Sequence, residues 1–367
     1  MTFQINDYQS EARLARVRLQ PSQVSSDLFE ELEVLDEHTL RFSTINQTYN
    51  IGCPTTNLRT ELHDNDVVAV YSDGFVSRLF DSCDGEATVF ITGHCNSNCI
   101  MCPCSDHDRQ CEDGMNDAWL QEYISILPAE LRHFVITGGE PTLKTEQFFR
   151  ALAQLAVERP QAEVLLLSNG RSFAAKKMVA HMLSACPRYL SVGIPLHGHN
   201  SELHDYITRA EGSFRQTCMG IRNLLAAHIA VELRIVVSKL NYLYLVDIAR
   251  LIAIEFPQVM TVNFVGLETL GNCAKNFHAV YIDYRESFAK IRPAAQLLID
   301  AGINVSLYNY PLCTVERAYW PLCRRSITPY KIRYAPACSN CEAHAFCGGY
   351  FASTLAIAGP NVIPIHF

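Results

Sequence analysis

Residues 93–104 read Gly-His-Cys-Asn-Ser-Asn-Cys-Ile-Met-Cys-Pro-Cys, which puts Cys95, Cys99 and Cys102 on one short loop with x3 and x2 spacing. Three thiolates on so compact a loop can each take one iron of a cubane cluster and leave the fourth iron without a protein ligand. The other reading of such a loop is a tetrahedral zinc site, which wants a fourth ligand. Cys104 is the candidate, although Pro103 between it and Cys102 makes a shared single-ion site awkward.

Working outward, the loop follows Thr88–Thr92, an apolar run of strand length. Similar runs recur at His133–Thr137, Glu163–Ser168, Tyr189–Ile194, Val231–Val236, Val262–Val265 and Asn304–Leu307. Near-continuous hydrophobicity is what a parallel strand covered on both faces requires. Between the runs lie amphipathic segments. Phe148, Phe149, Leu152, Leu155 and Ala156 share one helical face, as do Leu245, Ile248, Ala249 and Ile252. Repeated βα units with six strands before Gly266 predict an α/β fold, a partial (βα)6 barrel over residues 87–307. Ligands then bind at the carboxyl ends of the strands, where the cysteine loop lies. Residues 1–86 carry short β-like pieces (Leu32–Leu35, Thr39–Ser43, Asp66–Tyr71, Gly74–Leu79) between turn signals, and predict a β-rich N-terminal domain. Over residues 308–367 periodicity fades and cysteine density rises, which predicts a small metal-stapled extension.

Composition narrows the partners. Of 367 residues 49% are hydrophobic and 19% charged, as in an ordinary globular enzyme. Net charge is −8 and no Lys/Arg run exceeds two, so a phosphate backbone finds no basic stripe and nucleic acid is not an expected partner. The first 20 residues lack a continuous apolar core, and no stretch approaches 18 uninterrupted apolar residues. The expected location is the cytoplasm, with no membrane association. Fifteen cysteines in a reducing compartment, several in short clustered spacings, point to metal ligation before disulfides.

Each later strand ends on a distinctive turn. The second ends on Thr137-Gly138-Gly139-Glu140-Pro141, where two glycines admit a ligand close to the backbone and leave amides and carbonyls free to bind it. The third ends on Ser168-Asn169-Gly170. The fourth reads Gly193-Ile194-Pro195-Leu196-His197-Gly198, followed by His204-Asp205, Arg209 and Gly212-Ser213-Phe214. Any of these alone is also an ordinary strand-to-helix turn. His197, His199 and His204 are read as polar barrel-mouth residues, since they lack tight ligand spacing and a partner acid. The tail holds Cys313 and Cys323, then Cys338-x2-Cys341-x5-Cys347 before Gly348-Gly349-Tyr350-Phe351. A structural zinc site with four thiolate ligands is the alternative there. Cys53, Cys83, Cys186, Cys218 and Cys273 stand alone and are read as packed thiols.

The cysteine loop and these turns resemble the radical SAM superfamily. The resemblance implies a [4Fe–4S] cluster on Cys95, Cys99 and Cys102, with S-adenosylmethionine (SAM) chelated to the open iron and cleaved reductively to a 5′-deoxyadenosyl radical. It implies that Gly138, Gly139, Glu140 and Pro141 hold the SAM amino group, that Ser168 and Asn169 lie near the ribose, and that Arg209 pairs with the SAM carboxylate. A guanidinium suits that last role because it can bind a carboxylate bidentately. The superfamily's aromatic residue before the third cysteine is Met101 here, an apolar side chain that can still pack near the adenine. Pro195 and His197 stand where the superfamily carries serine and aspartate. The tail resembles the second half of the SPASM and twitch extensions of peptide maturases, which implies an auxiliary iron–sulfur cluster on Cys313, Cys338, Cys341 and Cys347. Phe351 occupies the place of the next SPASM cysteine, so a shortened, twitch-like domain with one cluster is expected; whether Cys323 joins the ligands is open.

The blocks Val265-Gly266-Leu267-Glu268, Gly271–Asn276, Tyr308–Cys313 and Trp320-Pro321 are similar to His-Xaa-Ser system maturases of the HxsC type. That resemblance implies a precursor peptide with His-Xaa-Ser repeats as substrate. A second radical SAM maturase, a small companion protein and an electron donor such as flavodoxin or ferredoxin would be partners. Two other readings are a radical SAM enzyme for a small molecule or RNA, and a non-enzymatic zinc-binding adaptor.

Overall fold

A computed structural model describes residues 1–19, 29–53, 55–110, 115–327, 331–358 and 362–367. Its first layer is a seven-stranded sheet built from β1 (Thr2–Gln4), β2 (Arg13–Arg18), β3 (Glu31–Val34), β4 (Thr39–Phe42), β5 (Gln47–Asn50), β6 (Val67–Val70) and β7 (Phe75–Phe80). The order is β1-β7-β6-β2-β3-β4-β5, antiparallel except for β2 against β3. Strand alternation divides this sheet between two cores. Ala15, Val17, Val68 and Val70 join Leu32, Leu40 and Phe42 in an N-terminal cluster. Leu14, Val67, Ala69 and Phe80 face the other way, into the core of the second layer. Arg16 reinforces that seam by donating its Nε–H to the Ile126 carbonyl (2.9 Å) at the end of helix Asp117–Ile126.

The second layer is a parallel sheet that curls into an open barrel. Its strands are β8 (Glu86–Phe90), β9 (His133–Thr137), β10 (Glu163–Leu167), β11 (Tyr189–Pro195), β12 (Ala230–Val236), β13 (Thr261–Val265), β14 (Val305–Tyr308) and β15 (Cys323–Arg324). They pair in chain order from β8 to β15, so each crossover returns the chain to the next position in the sheet. The α/β partial barrel, the β-rich N-terminal layer and the cysteine-rich tail are therefore present. The sheet runs beyond six strands, because β14 and β15 extend it toward the tail.

The helices form where apolar residues fall on one face. In Thr145–Glu158, Phe148, Phe149, Ala151, Leu152 and Leu155 are buried against the sheet. In Leu245–Glu255 the buried face is Leu245, Ile248, Ala249 and Ile252. Arg159, after the first of these, donates to the carbonyls of Ile124, Leu127 and Pro128, which closes the preceding helix. Among the described residues no helix is long and apolar enough to cross a membrane. The tail adds a two-stranded antiparallel sheet, β16 (Ile332–Arg333) against β17 (Tyr350–Phe351).

Candidate functional site

The loop carrying Cys95, Cys99 and Cys102 leaves the carboxyl end of β8 and is held from three sides. From β9, the Gly139 N–H donates to the Thr92 carbonyl and the Glu140 N–H to the His94 carbonyl, each at 2.7 Å. The two glycines make this approach possible. A Cβ on Gly138 would stand 2.3 Å from the Thr92 oxygen, and one on Gly139 would stand 2.3 Å from the Gly93 oxygen. The amides expected to be free for a ligand are thus engaged by the cysteine loop, because the two segments lie as close as neighbouring strands.

From β11, the carbonyls of Ile207 and Thr208 accept the N–H groups of Ile100 and Asn98, each at 2.9 Å. This places Arg209 directly beside the loop, exposed and in a left-handed conformation (φ 52°) at the end of helix Ser201–Thr208. From β13, Asn272 donates its amide to Asn98 Oδ1 (2.7 Å) and to the Cys99 carbonyl (3.0 Å).

Glu140 has no exposed surface, and its carboxylate binds the third strand's turn. It accepts from Thr142 Oγ1 (2.6 Å), Ser168 Oγ (2.9 Å) and the Asn169 N–H (2.7 Å). Burial pushes its pKa up, and these hydrogen bonds draw it back toward the charged form. Glu140 therefore couples two strand ends and presents its backbone, not its carboxylate, to the loop. Pro141 follows, itself buried, at the start of a single turn. Asn169 reaches further, donating to Asn96 Oδ1 (2.6 Å) and lying 3.9 Å from the Cys95 sulfur. Met101 is 4% exposed and packs with Ile100, Ile207, Leu267, Cys273 and Val280, where it helps to wall the mouth.

Two arginines escaped notice in the sequence. Arg171 donates to the Asn96 carbonyl and to Ser97 Oγ (3.1 Å), with its Nε–H on Gln216 (2.7 Å). Arg109 donates Nη1–H to the Ser97 carbonyl (3.2 Å), while its Nε and Nη2 are buried with no hydrogen-bond partner among the described residues. Its charge favours the thiolate at all three cysteines. Burial, then the neighbouring Cys102 and Cys95, push the Cys99 thiol up to about 12. A hydrogen bond from Cys104 holds Cys102 down to about 6.

The three thiols are therefore near enough to feel one another. Yet among the described residues only His63, Asp81 and Cys83 gather three such ligand atoms all within 4.8 Å. Thiolates on separate irons of a cubane need not close to the reach of a single ion. Arg109 brings a positive charge to the place where an anionic cluster would lie. The donor set fits an iron–sulfur cluster.

His197 and His204 lie at the end of β11 and in the following helix, 3% and 2% exposed, with rings stacked at 5.7 Å. Burial pushes them down to about 3 and about 4, so both are neutral at physiological pH. Nothing gathers these two and His199 into a metal-holding group among the described residues. The unfolded chain protonates both near their ordinary value while the folded chain refuses, so stability falls as pH drops from 6.5 toward 4. Going from about pH 7 to about pH 5.5 should cost on the order of 2 kcal/mol for the pair, read as a lower urea midpoint. His197→Asn should flatten that slope; an unchanged slope would place the acid sensitivity elsewhere.

In the tail, Cys313, Cys338, Cys341 and Cys347 line one pocket, together with Tyr350 and the Val362–Ile365 segment. The Gly349 N–H points at the Cys347 sulfur and the Ile365 N–H at the Cys341 sulfur, each at 3.4 Å, and the Tyr350 hydroxyl lies 3.4 Å from Cys313. Amide donors on sulfur favour thiolates, which suits a cluster site. Cys323 sits on β15 near Cys347 but outside the pocket lining, and burial pushes its thiol up to about 12. Of the lone cysteines, Cys218 and Cys273 are buried as expected. Cys53 and Cys186 are half-buried and Cys83 is exposed, so these three are not packed core thiols.

The sequence model of the Radical SAM superfamily matches residues 89–252, the segment that forms β8 to β12 and most of the surrounding helices. This segment is a radical SAM superfamily domain, and the enzymes of that superfamily use SAM and a [4Fe–4S] cluster. No curated protein matches by sequence. Solved structures to which parts of the chain are similar include a domain of pyruvate-formate lyase-activating enzyme from Bacteroides vulgatus. It is 16% identical with TM-score 0.38, over 47% of this chain and 96% of that one. Streptococcus suis SuiB bound to precursor peptide SuiA is 11% identical with TM-score 0.49, over 60% of this chain and 48% of that one. Native anSMEcpe with bound AdoMet is 16% identical with TM-score 0.48, over 60% of this chain and 64% of that one. The chain thus spans about half of SuiB and under two thirds of anSMEcpe.

Proposed function

We propose that this protein is a radical SAM maturase that cleaves SAM reductively and modifies a ribosomally made precursor peptide by hydrogen abstraction. The observation that carries this reading is the convergence of Cys95, Cys99 and Cys102 beside Arg109 at the carboxyl edge of the parallel sheet. Those cysteines would hold the cluster. Gly138 to Pro141 would line the SAM amino group, Ser168 and Asn169 the ribose, and Arg209 the carboxylate, with Met101 as apolar wall. Bound there, cluster and SAM together would supply a 5′-deoxyadenosyl radical. The chain's own task is to orient SAM and keep water from the mouth.

The second cysteine group supports a peptide-maturing role through its resemblance to twitch-like extensions. Cys313, Cys338, Cys341 and Cys347 would hold an auxiliary cluster. Replacing Cys338 and Cys341 together by alanine should lower the iron count while 5′-deoxyadenosine release without peptide persists, since the barrel loop is untouched. Zinc in this pocket after anaerobic purification would contradict the assignment.

The substrate we propose is a peptide with His-Xaa-Ser repeats, handled with a second radical SAM maturase and a small companion, with electrons from a flavodoxin or ferredoxin. Mass spectrometry of such a precursor, co-expressed with all partners, should show a mass change within the triplets that the Cys95→Ala variant abolishes. An unmodified precursor beside active clusters would remove the substrate and leave the radical chemistry.

A further inference from the structure

We propose that His63, Asp81 and Cys83 form a binding site for one zinc-class divalent cation, at the seam where the N-terminal sheet runs into the barrel. The inference is independent of the SAM site. His63 lies in the loop before β6, and Asp81 and Cys83 lie in the turn between β7 and β8. That turn is at the amino end of β8, while the Cys95 loop leaves its carboxyl end. Ligand atoms from the three residues lie within 4.8 Å of one another. An imidazole, a carboxylate and a thiolate together form a borderline-soft donor set that suits zinc and not magnesium or calcium.

The arrangement is held by residues around it. Asp66, wholly buried, accepts from the His63 N–H (3.0 Å) with one oxygen and from the Ser82 N–H (2.8 Å) with the other. One carboxylate thus fixes both arms of the site, which are far apart in sequence. Arg78 donates to Asp66 Oδ2 (3.1 Å) and takes Asp81 Oδ2 (2.7 Å). The remaining oxygen, Asp81 Oδ1, faces the His63 Nδ1 and accepts the Cys83 N–H, each at 3.0 Å. Supporting groups that orient the ligands in this way are half of a metal site.

Charge and access agree with a divalent ion. Arg78 is shared between Asp66 and Asp81, and Asp84 lies close by, so the group is net negative and becomes more so when the Cys83 thiol gives up its proton to a metal. Among the described cysteines Cys83 is the exposed one, so the ion has an entry path. Binding would release the thiol proton. Three protein ligands leave a fourth position for water. The role that follows from the location is to staple β6 to the turn that launches the barrel.

The test uses the full chain with its iron–sulfur sites loaded, titrated with zinc chloride under anaerobic conditions by calorimetry. One zinc per chain should bind in addition to the iron. Cys83→Ser and His63→Asn should each weaken it by about a hundredfold or more, because two ligands remain. Asp66→Asn should weaken it by about ten- to a hundredfold through loss of positioning. Iron content and uncoupled SAM cleavage should not change in Cys83→Ser. Zinc-edge absorption should show one sulfur with nitrogen and oxygen donors. Equal zinc affinity in wild type and Cys83→Ser, no zinc uptake by wild type, or an all-sulfur shell would each overturn the proposal.

Discussion

Alanine in place of Cys95, Cys99 or Cys102 should abolish release of 5′-deoxyadenosine from SAM, whereas the cluster proposed for the C-terminal cysteine pocket should persist. Each substitution leaves two thiolates where a site-open cubane needs three. Among the described residues no further cysteine stands free to take over. Cys104 hydrogen-bonds to Cys102, and its neighbour Pro103 restrains it. Cys273 is buried behind the loop, its N–H on the Cys102 carbonyl (3.2 Å). Iron analysis before and after substitution separates the two sites, and product release by liquid chromatography reads the chemistry. A variant that still releases 5′-deoxyadenosine at the wild-type rate would show that the cluster is held elsewhere.

The second large effect is expected from a methyl group. Gly139→Ala places a Cβ 2.3 Å from the Gly93 oxygen and 2.4 Å from the His94 oxygen, both backbone atoms that no rotamer change can remove. Either β9's turn or the cysteine loop must retreat, and the hydrogen bonds from Gly139 and Glu140 to that loop go with it. The core is not involved: Phe134 and Ile136 on β9 stay buried. Circular dichroism should therefore report a folded barrel. SAM cleavage should fall by about a hundredfold or more, since displacement of about 1 Å at a reacting centre costs that much. Wild-type turnover in Gly139→Ala would mean that the close approach is not needed for the site.

The parts of this architecture that repeat were legible in the sequence, and the parts that depend on single contacts were not. Seven strands of the barrel sheet could be read because each is a mostly apolar run of strand length between helical patterns, although in β8, β9 and β10 only alternate residues are fully buried. β15 has two residues, Cys323 and Arg324, and carries no such signal; it forms because Leu307 on β14 offers it a partner. In the N-terminal layer β1, β2 and β5 are short or polar on one face and take their form from neighbours. The cysteine loop was legible because ligand spacing is local. Glu140 was visible as a residue, but its inward carboxylate depends on Ser168 and Asn169, which come from the next strand. Arg109 and Arg171 are lone basic residues with no spacing rule, and their bearing on the cysteines exists only after folding. The same holds for His63 with Cys83, which chain distance hides and one buried aspartate brings together.

Electron paramagnetic resonance tests the central claim most directly. The wild-type protein, reconstituted anaerobically and reduced, should show a [4Fe–4S] signal that changes on addition of SAM, because SAM would bind the iron that the three cysteines leave open. The signal should change likewise in the Cys338→Ala, Cys341→Ala double variant. It should be missing in that double variant when Cys99→Ala is added. A reduced-cluster spectrum that is identical with and without saturating SAM would contradict the account.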